Sequence, residues 1–200
     1  MIYSTAYNEN NNIEFQEVMK KNIPMVSYPE VLAQLFNDKY GIAVSGTHGK
    51  TTTSSLLASV FLQAERDPSF VLGGLLSSLN TNGRFGKSEY FIAEADESDG
   101  SFLKTNAFGA IVTNLEEEHL AYWKSPKRLK EAFKQFCSQV EGPLFWCRDD
   151  LGLLELQPRG TSYGFSKEAN WQITHFETTT NGVRFSLSHQ GKELFFQPHG

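Results

Sequence analysis

The chain has 200 residues with 18 Lys and Arg against 23 Asp and Glu, a formal net charge of −5, and 40% hydrophobic residues. That is an ordinary globular balance. It argues against a nucleic-acid binder, which needs a basic face, and no apolar run reaches the length of a membrane span. Cys137 and Cys147 are the only cysteines and form no C-x-x-C pair, a usage that suits a reducing cytoplasm and offers neither a disulfide framework nor a zinc site.

Residues 1–4 read as the end of a strand and 8–12 as a polar turn. Residues 13–21 have helical spacing, with Ile13, Val18 and Met19 apolar among Glu14, Glu17, Lys20 and Lys21. Residues 23–26 read as a short strand and 29–36 as a second helix, with Pro29 in its first turn. This is β-α-β-α material without the start of a domain, and the polar stretch 37–40 reads as a linker.

From residue 41 the pattern sharpens. An apolar run, 42–44, is followed by Gly46-Thr47-His48-Gly49-Lys50-Thr51-Thr52-Thr53 and then by a helical stretch, 54–64. Strand, glycine loop, Lys-Thr and helix form the layout of a phosphate-binding loop. Glycine lets backbone approach an anion, and the N–H groups of a helix start favour negative charge. Lys50 would reach the β- and γ-phosphates, and the Thr51 hydroxyl would ligate Mg²⁺. The loop is a tight G-x-x-G-K-T, with Val44 where the longer G-x-x-x-x-G-K-[ST] pattern has glycine.

Residues 71–75 are apolar and glycine-rich, and 80–87 read as a loop. A strand over 90–93 ends in Glu94, Asp96, Glu97 and Asp99. Ligands of open α/β sheets sit at the carboxyl ends of strands, so Glu94, nearest the strand, is the metal candidate. Mg²⁺ keeps several waters, so Asp96, Glu97 and Asp99 each read more readily as solvated acids. A strand over 110–113 leads to Asn114 and His119. From spacing, His119 either binds a second metal, touches an anionic substrate, or sits on the surface at a helix start. Within the loop, His48 reads as structural or substrate-side.

A helix over 126–140 places Leu129, Ala132, Phe133 and Phe136 on one face, and 144–147 is a further strand. The aromatic residues of 123–146 read as core. Alternating segments 171–178, 183–189 and 193–197, separated by Asn181-Gly182 and Gln190-Gly191, predict hairpin turns. Nothing chemical is expected of His175, His189 and His199 in this region. The predicted fold is α/β, a P-loop-type, mostly parallel sheet flanked by helices, with a small antiparallel three-stranded meander at the C-terminal end.

Together, Gly46 to Thr53, Asp67-Pro68-Ser69-Phe70 before Gly73-Gly74, Glu94-Ala95-Asp96-Glu97-Ser98-Asp99-Gly100-Ser101-Phe102, and Thr113-Asn114 leading to His119 resemble the Mur ligase family, in order and over nearly the whole chain. The family's D-glutamate and diaminopimelate ligases, and the folylpolyglutamate synthases, usually carry Asn where His48 stands. The resemblance is strongest to the branch that joins L-alanine to UDP-N-acetylmuramate. The murein-peptide ligases share the histidine but typically have Tyr at the position of Ser98.

The resemblance implies residues 1–36 as the last part of a UDP-substrate-binding domain and 41–200 as a central ATP-binding domain, with the C-terminal ligase domain absent. It implies that Gly46, Thr47, His48, Gly49, Lys50, Thr51 and Thr52 wrap the phosphates of ATP. Thr51 and Glu94 would bind a first Mg²⁺ and His119 a second. Catalysis would rest on Lys50, Glu94 and His119 in a cytoplasmic enzyme of peptidoglycan synthesis, acting through an acyl phosphate, without nucleic acid or membrane as partner. A P-loop NTPase or kinase of another class is the alternative. Glu118 stands where the family usually has Asp, which keeps the charge and changes the reach. A G-x-H-N segment near adenine would begin about Pro198-His199-Gly200, and the chain alone is expected to bind nucleotide weakly and not to ligate.

Overall fold

The computed structural model describes residues 1–4, 6–180 and 182–197. In chain order the elements are β1 (Ile2–Tyr3), α1 (Ile13–Lys20), β2 (Val26–Ser27), α2 (Tyr28–Asn37), β3 (Tyr40–Ser45), α3 (Lys50–Gln63), β4 (Ser69–Leu76), β5 (Thr81–Arg84) and β6 (Tyr90–Glu94). After a 3-10 turn at Ser101–Lys104 come β7 (Gly109–Val112), α4 (Leu120–Trp123), α5 (Pro126–Gln139), β8 (Leu144–Cys147), α6 (Leu151–Leu156), β9 (Thr161–Gly164), β10 (Trp171–Thr179), β11 (Gly182–His189) and β12 (Lys192–Phe196).

One ten-stranded sheet runs β12-β11-β10-β9-β8-β7-β3-β6-β4-β5, and β1 pairs with β2 in a separate parallel ribbon. From β4 to β10 every neighbour is parallel. The meander β10-β11-β12 is antiparallel and continues the sheet, because β10 pairs in parallel with β9. The expected α/β fold and its terminal meander are therefore both present.

Side chains alternate across the central strands. Ile42 and Ile92 face α3, packing with Ala58, Phe70, Leu72 and Leu76. Ala43, Phe91 and Ala93 face the other way, into a larger core with Phe36 of α2, Phe102, and Leu129, Phe133 and Phe136 of α5. Two covered faces explain why the central strands read as continuous apolar runs. Of the aromatic residues expected in the core, Phe133, Phe136 and Trp146 are buried while Phe145 is exposed.

Several details differ from the sequence reading. Residues 80–87 are not all loop: Thr81–Arg84 form edge strand β5, antiparallel to β4. Thr-Asn-Gly-Arg has little strand propensity, so its pairing with β4, after a turn in which Asn80 adopts φ 50°, determines its state. The strand expected at 23–26 is reduced to Val26–Ser27. The α1 helix buries no residue, and Ile13 is 80% exposed. The expected linker is short: α2 runs to Asn37 and β3 begins at Tyr40. Phe36 is 1% exposed and fills the space over Gly41, where a Cβ would lie 2.2 Å from its ring. Pro198, His199 and Gly200, where the next family segment would begin, lie outside the described residues.

Candidate functional site at the carboxyl edge of β3, β6 and β7

Strand register brings the site together. Val44 of β3 is level with Glu94 of β6 and Ile111 of β7, and Ser45 with Val112. The segments after β3, β6 and β7 therefore leave the sheet side by side, at the point where the strand order departs in both directions from β3. Open α/β sheets bind ligands at such a crevice.

The loop after β3 turns at Gly46 (φ 134°) and Gly49 (φ 80°), the latter being the N-cap of α3. A Cβ on Gly46 would lie 2.1 Å from Thr113 Oγ1, so only glycine fits there. Thr113 and Asn114 hold the loop from the end of β7. His48 N–H donates to Asn114 Oδ1 at 2.7 Å, while Thr113 Oγ1 and Asn114 Nδ2 donate to the His48 carbonyl at 2.6 and 3.0 Å. The Thr47 hydroxyl accepts from Glu116 N–H at 2.9 Å. The N–H groups of the first turn of α3, at Lys50, Thr51 and Thr52, lie at an open helix end that suits an anion.

Lys50 Nζ donates to the Gly46 carbonyl at 2.8 Å and to Glu97 Oε2 at 2.8 Å, with Thr47 O farther off at 3.5 Å. Thr51 Oγ1 donates to Glu94 Oε2 at 3.1 Å, and Glu94 Oε1 accepts from Ser54 Oγ at 3.1 Å and Gly73 N–H at 2.5 Å. A Cβ on Gly73 would sit 2.7 Å from Thr51 Oγ1 and 2.9 Å from Glu94 Oε2, so a side chain there would push this pair out of place. This cradle holds the Glu94 carboxylate against the Thr51 hydroxyl, and the two oxygens can share a hydrated Mg²⁺, which takes one or two protein oxygens and several waters.

His119 is the N-cap of α4, with φ 53°, and its Nε2 lies 3.4 Å from Glu97 Oε1. Lys50, Thr51, Glu94 and His119 are thus brought to one edge. His48 is placed differently: its backbone anchors the loop, while its ring points to solvent between Glu116 (3.6 Å) and Glu118 (3.3 Å). These three exposed side chains bring ligand atoms within 4.8 Å of one another and form a charged rim. His189, for which no chemistry was expected, stacks on Trp171 at 4.1 Å, and its Nδ1 meets the Asn170 carbonyl at 2.8 Å.

The residue that the sequence reading missed is Glu97. It is 1% exposed, among the largest fully buried side chains, rather than the solvated acid expected. Its backbone carbonyl accepts from Trp123 Nε1 at 2.9 Å. Nothing local distinguishes it from Asp96 and Asp99; its partners come from remote segments, Lys50 on its carboxylate and Trp123 Nε1 on its backbone carbonyl, 26 residues away. Asp96 Oδ1 is 3.8 Å from Lys50 Nζ and the residue is exposed; Asp99 caps the following turn by accepting from Ser101 N–H.

A family model described as "Mur ligase middle domain" matches residues 44–198. Among solved structures, the chain is similar to UDP-N-acetylmuramate-alanine ligase MurC from Thermotoga maritima. The TM-score is 0.87 at 23% identity, over 100% of this chain and 46% of that one. It is also similar to the UDP-N-acetylmuramate:L-alanyl-gamma-D-glutamyl-meso-diaminopimelate ligase from Neisseria meningitides, with TM-score 0.78 at 23% identity, over 96% of this chain and 65% of that one. A third is MurF ligase from Thermotoga maritima in complex with ADP, with TM-score 0.70 at 14% identity, over 97% and 54%. The chain thus spans about half to two thirds of the length of these ligases. With its loop, its Glu94 cradle and the family match over residues 44–198 in agreement, this chain belongs to the Mur ligase family, whose middle domain it carries.

Proposed function

We propose that this chain is the ATP-binding part of a carboxylate–amine ligase of peptidoglycan precursor synthesis, one that joins L-alanine to UDP-N-acetylmuramate. The observation that carries the reading is the convergence of Lys50, the Thr51–Glu94 pair and His119 at one sheet edge, beside an open helix end. A cytoplasmic setting fits the free cysteines; among the described residues no helix is long and apolar enough to cross a membrane.

In this reading the loop from Gly46 to Thr52 wraps the ATP phosphates. Two donors of Lys50 are held by the Gly46 carbonyl and Glu97, and its third, only weakly engaged, meets the β- and γ-oxygens. Glu94, fixed by Ser54 and Gly73, holds the Thr51 hydroxyl toward the metal. Mg²⁺ at Thr51–Glu94 and at His119 would neutralise the charge of two anions that must meet. The substrate carboxylate attacks the γ-phosphate and displaces ADP; the amine then attacks the acyl phosphate and displaces phosphate. Residues 1–36, as the end of a UDP-substrate domain, belong to the same proposal, and amino-acid contacts are assigned outside this chain.

The test is ADP release by the complete protein given UDP-N-acetylmuramate, with and without L-alanine. Turnover that requires both supports the reading. Turnover with a preformed peptide in place of L-alanine moves the assignment to murein-peptide ligation, and turnover indifferent to both refutes ligase function. For residues 1–200 alone, L-alanine-dependent ADP release would refute the division of labour.

A further inference from the structure

The sheet edge opposite the phosphate loop carries features that ligation does not use. Strands β3, β6 and β7 begin there, at Tyr40, Tyr90 and Gly109. Helices α2, α3 and α5 end there, because each leads into a strand of the same parallel sheet. None of the three helices has a basic residue in its last turn. The negative ends of three helix dipoles therefore gather at this edge with no helical cation to offset them.

A row of aromatic rings crosses the same edge. Phe61 of α3 meets Tyr90 edge-on at 5.2 Å, Tyr90 lies 6.2 Å from Tyr40, and Tyr40 meets Phe108 edge-on at 4.9 Å. Tyr40 is 46% and Phe108 36% exposed, so this end of the row meets water and not the core. The backbone beneath is fixed: Tyr40 N–H donates to the Glu89 carbonyl at 2.8 Å, and Gly142 N–H to the Phe108 carbonyl at 2.7 Å. A cleft of about 470 Å³ opens at this end, with Asp38, Tyr40, Glu89, Phe108 and Glu141 in its lining. A mostly apolar cleft of about 250 Å³ opens at the other, lined by Val60, Phe61, Ala64, Arg66 and Tyr90. Among the described residues, the exposed carboxylates of Asp38, Glu89 and Glu141 have no ion pair and no side-chain hydrogen bond. Lys39 lines the larger cleft too, but its ammonium is taken up by Ser69 Oγ and the Gly86 and Ser88 carbonyls.

We propose that this edge docks another protein, through a segment that seats an arginine side chain in the larger cleft and an apolar side chain in the smaller. A guanidinium stacks on aromatic rings and pairs with carboxylates at once, and with Lys39 engaged the larger cleft offers it only negative charge. Exposed aromatic groups with a charged rim have the composition of an interface core. At ~3.3 Å per residue, about five residues of extended chain span the row. The chain's own net charge of −5 disfavours a second copy as the occupant of an acidic edge. Strand β3 has six residues, so roughly 20 Å separates this surface from the phosphate loop, and partner and nucleotide bind without competing.

The probe is a synthetic peptide, blocked at both ends, with a terminal arginine and a terminal leucine joined by three serines. It is titrated into the isotope-labelled chain and followed by two-dimensional NMR. Saturable shifts are expected at residues 38–40, 60–66, 89–90 and 106–108, with Gly46 to Thr52 unmoved. Citrulline in place of the arginine keeps the shape and removes the charge, and is expected to weaken binding at least about five-fold. Glu89→Gln/Glu141→Gln is expected to weaken the arginine peptide to a similar degree; both side chains are exposed, and the spectrum itself reports that the variant is folded. Equal binding of the citrulline peptide overturns the charge argument. A peptide that fails to saturate by about 10 mM, or that shifts other residues, overturns the docking surface. Shifts at these residues on raising protein concentration alone, with a doubled mass in sedimentation, make the occupant a second copy and overturn the assigned partner. None of these readouts depends on ATP turnover, so the ligase reading stands or falls separately.

Discussion

Gly73→Ala places one methyl group into the Glu94 cradle. Gly73 lies in β4 with φ outside the left-handed region, so alanine is conformationally acceptable and the effect is local crowding. The new Cβ would stand 2.7 Å from Thr51 Oγ1 and 2.9 and 3.0 Å from the two Glu94 oxygens. To reach ordinary contact, the hydroxyl and the carboxylate must each retreat by roughly half an ångström or more. That disrupts the 3.1 Å Thr51–Glu94 bond and the 2.5 Å Gly73–Glu94 bond. Hydrogen bonds to a charged group contribute about 1.5–3 kcal/mol each, and the carboxylate can recover part of this in water. A net loss of about 2–3 kcal/mol follows, or roughly 4–12 °C in Tm for a chain of this size. Mg²⁺-nucleotide binding should weaken at least ten-fold. Thermal melts and Mg²⁺-ADP titration read both. Gly83→Ala is the control: its nearest contact would be an ordinary 4.0 Å, and it should melt within about 2 °C of wild type. A Gly73→Ala chain with unchanged Tm and affinity would refute the cradle.

Lys50→Met leaves the buried Glu97 carboxylate without its 2.8 Å partner; breaking such a pair costs about 3 kcal/mol. A calorimetric Tm drop of roughly 6–12 °C is expected, partly restored in Lys50→Met/Glu97→Gln, and an unchanged Tm would count against the buried pair. Burial pushes the Cys137 thiol up to about 12, so in the native chain it should resist alkylation at about pH 8.5 and react on unfolding. Mass spectrometry that finds native Cys137 alkylated as fast as a free thiol contradicts its packing. The Lys87 backbone N–H, with Arg84, holds the Asp67 carboxyl below its usual range. A lowered folded value contributes stability at neutral pH that is lost as pH falls through it. Asp67→Asn should therefore melt below wild type at neutral pH, with the gap closing in acid; a gap that widens in acid has the wrong sign.

The loop from Gly46 to Thr52, the Glu94 candidate and the helical face of α5 were legible because each rests on neighbours a few residues apart. His119 was legible only as one of several options, since its partner Glu97 reaches it through the fold. Helix α6 escaped notice although Asp150 supplies a local start signal by accepting from Leu153 N–H. Asp150 Oδ1 also accepts from Leu115 N–H, 35 residues away, a tie between α6 and the segment after β7 with no local trace.

By itself, the sequence determined the elements and the chemistry carried within one turn: a glycine loop that opens a helix end, a lysine and threonine placed on it, and a carboxylate at the end of a strand. Those depend on backbone geometry and residue type over short spans. Tertiary structure alone decided which strands lie beside β3, why a side chain at Gly46 or Gly73 would crowd the site, and which of four neighbouring acids is buried. These come from groups distant in the chain, Thr113 against Gly46, Glu94 against Gly73 and Lys50 on the Glu97 carboxylate. No local pattern specifies a carboxylate whose neighbours, Lys50 and His119, come from the segments after two other strands.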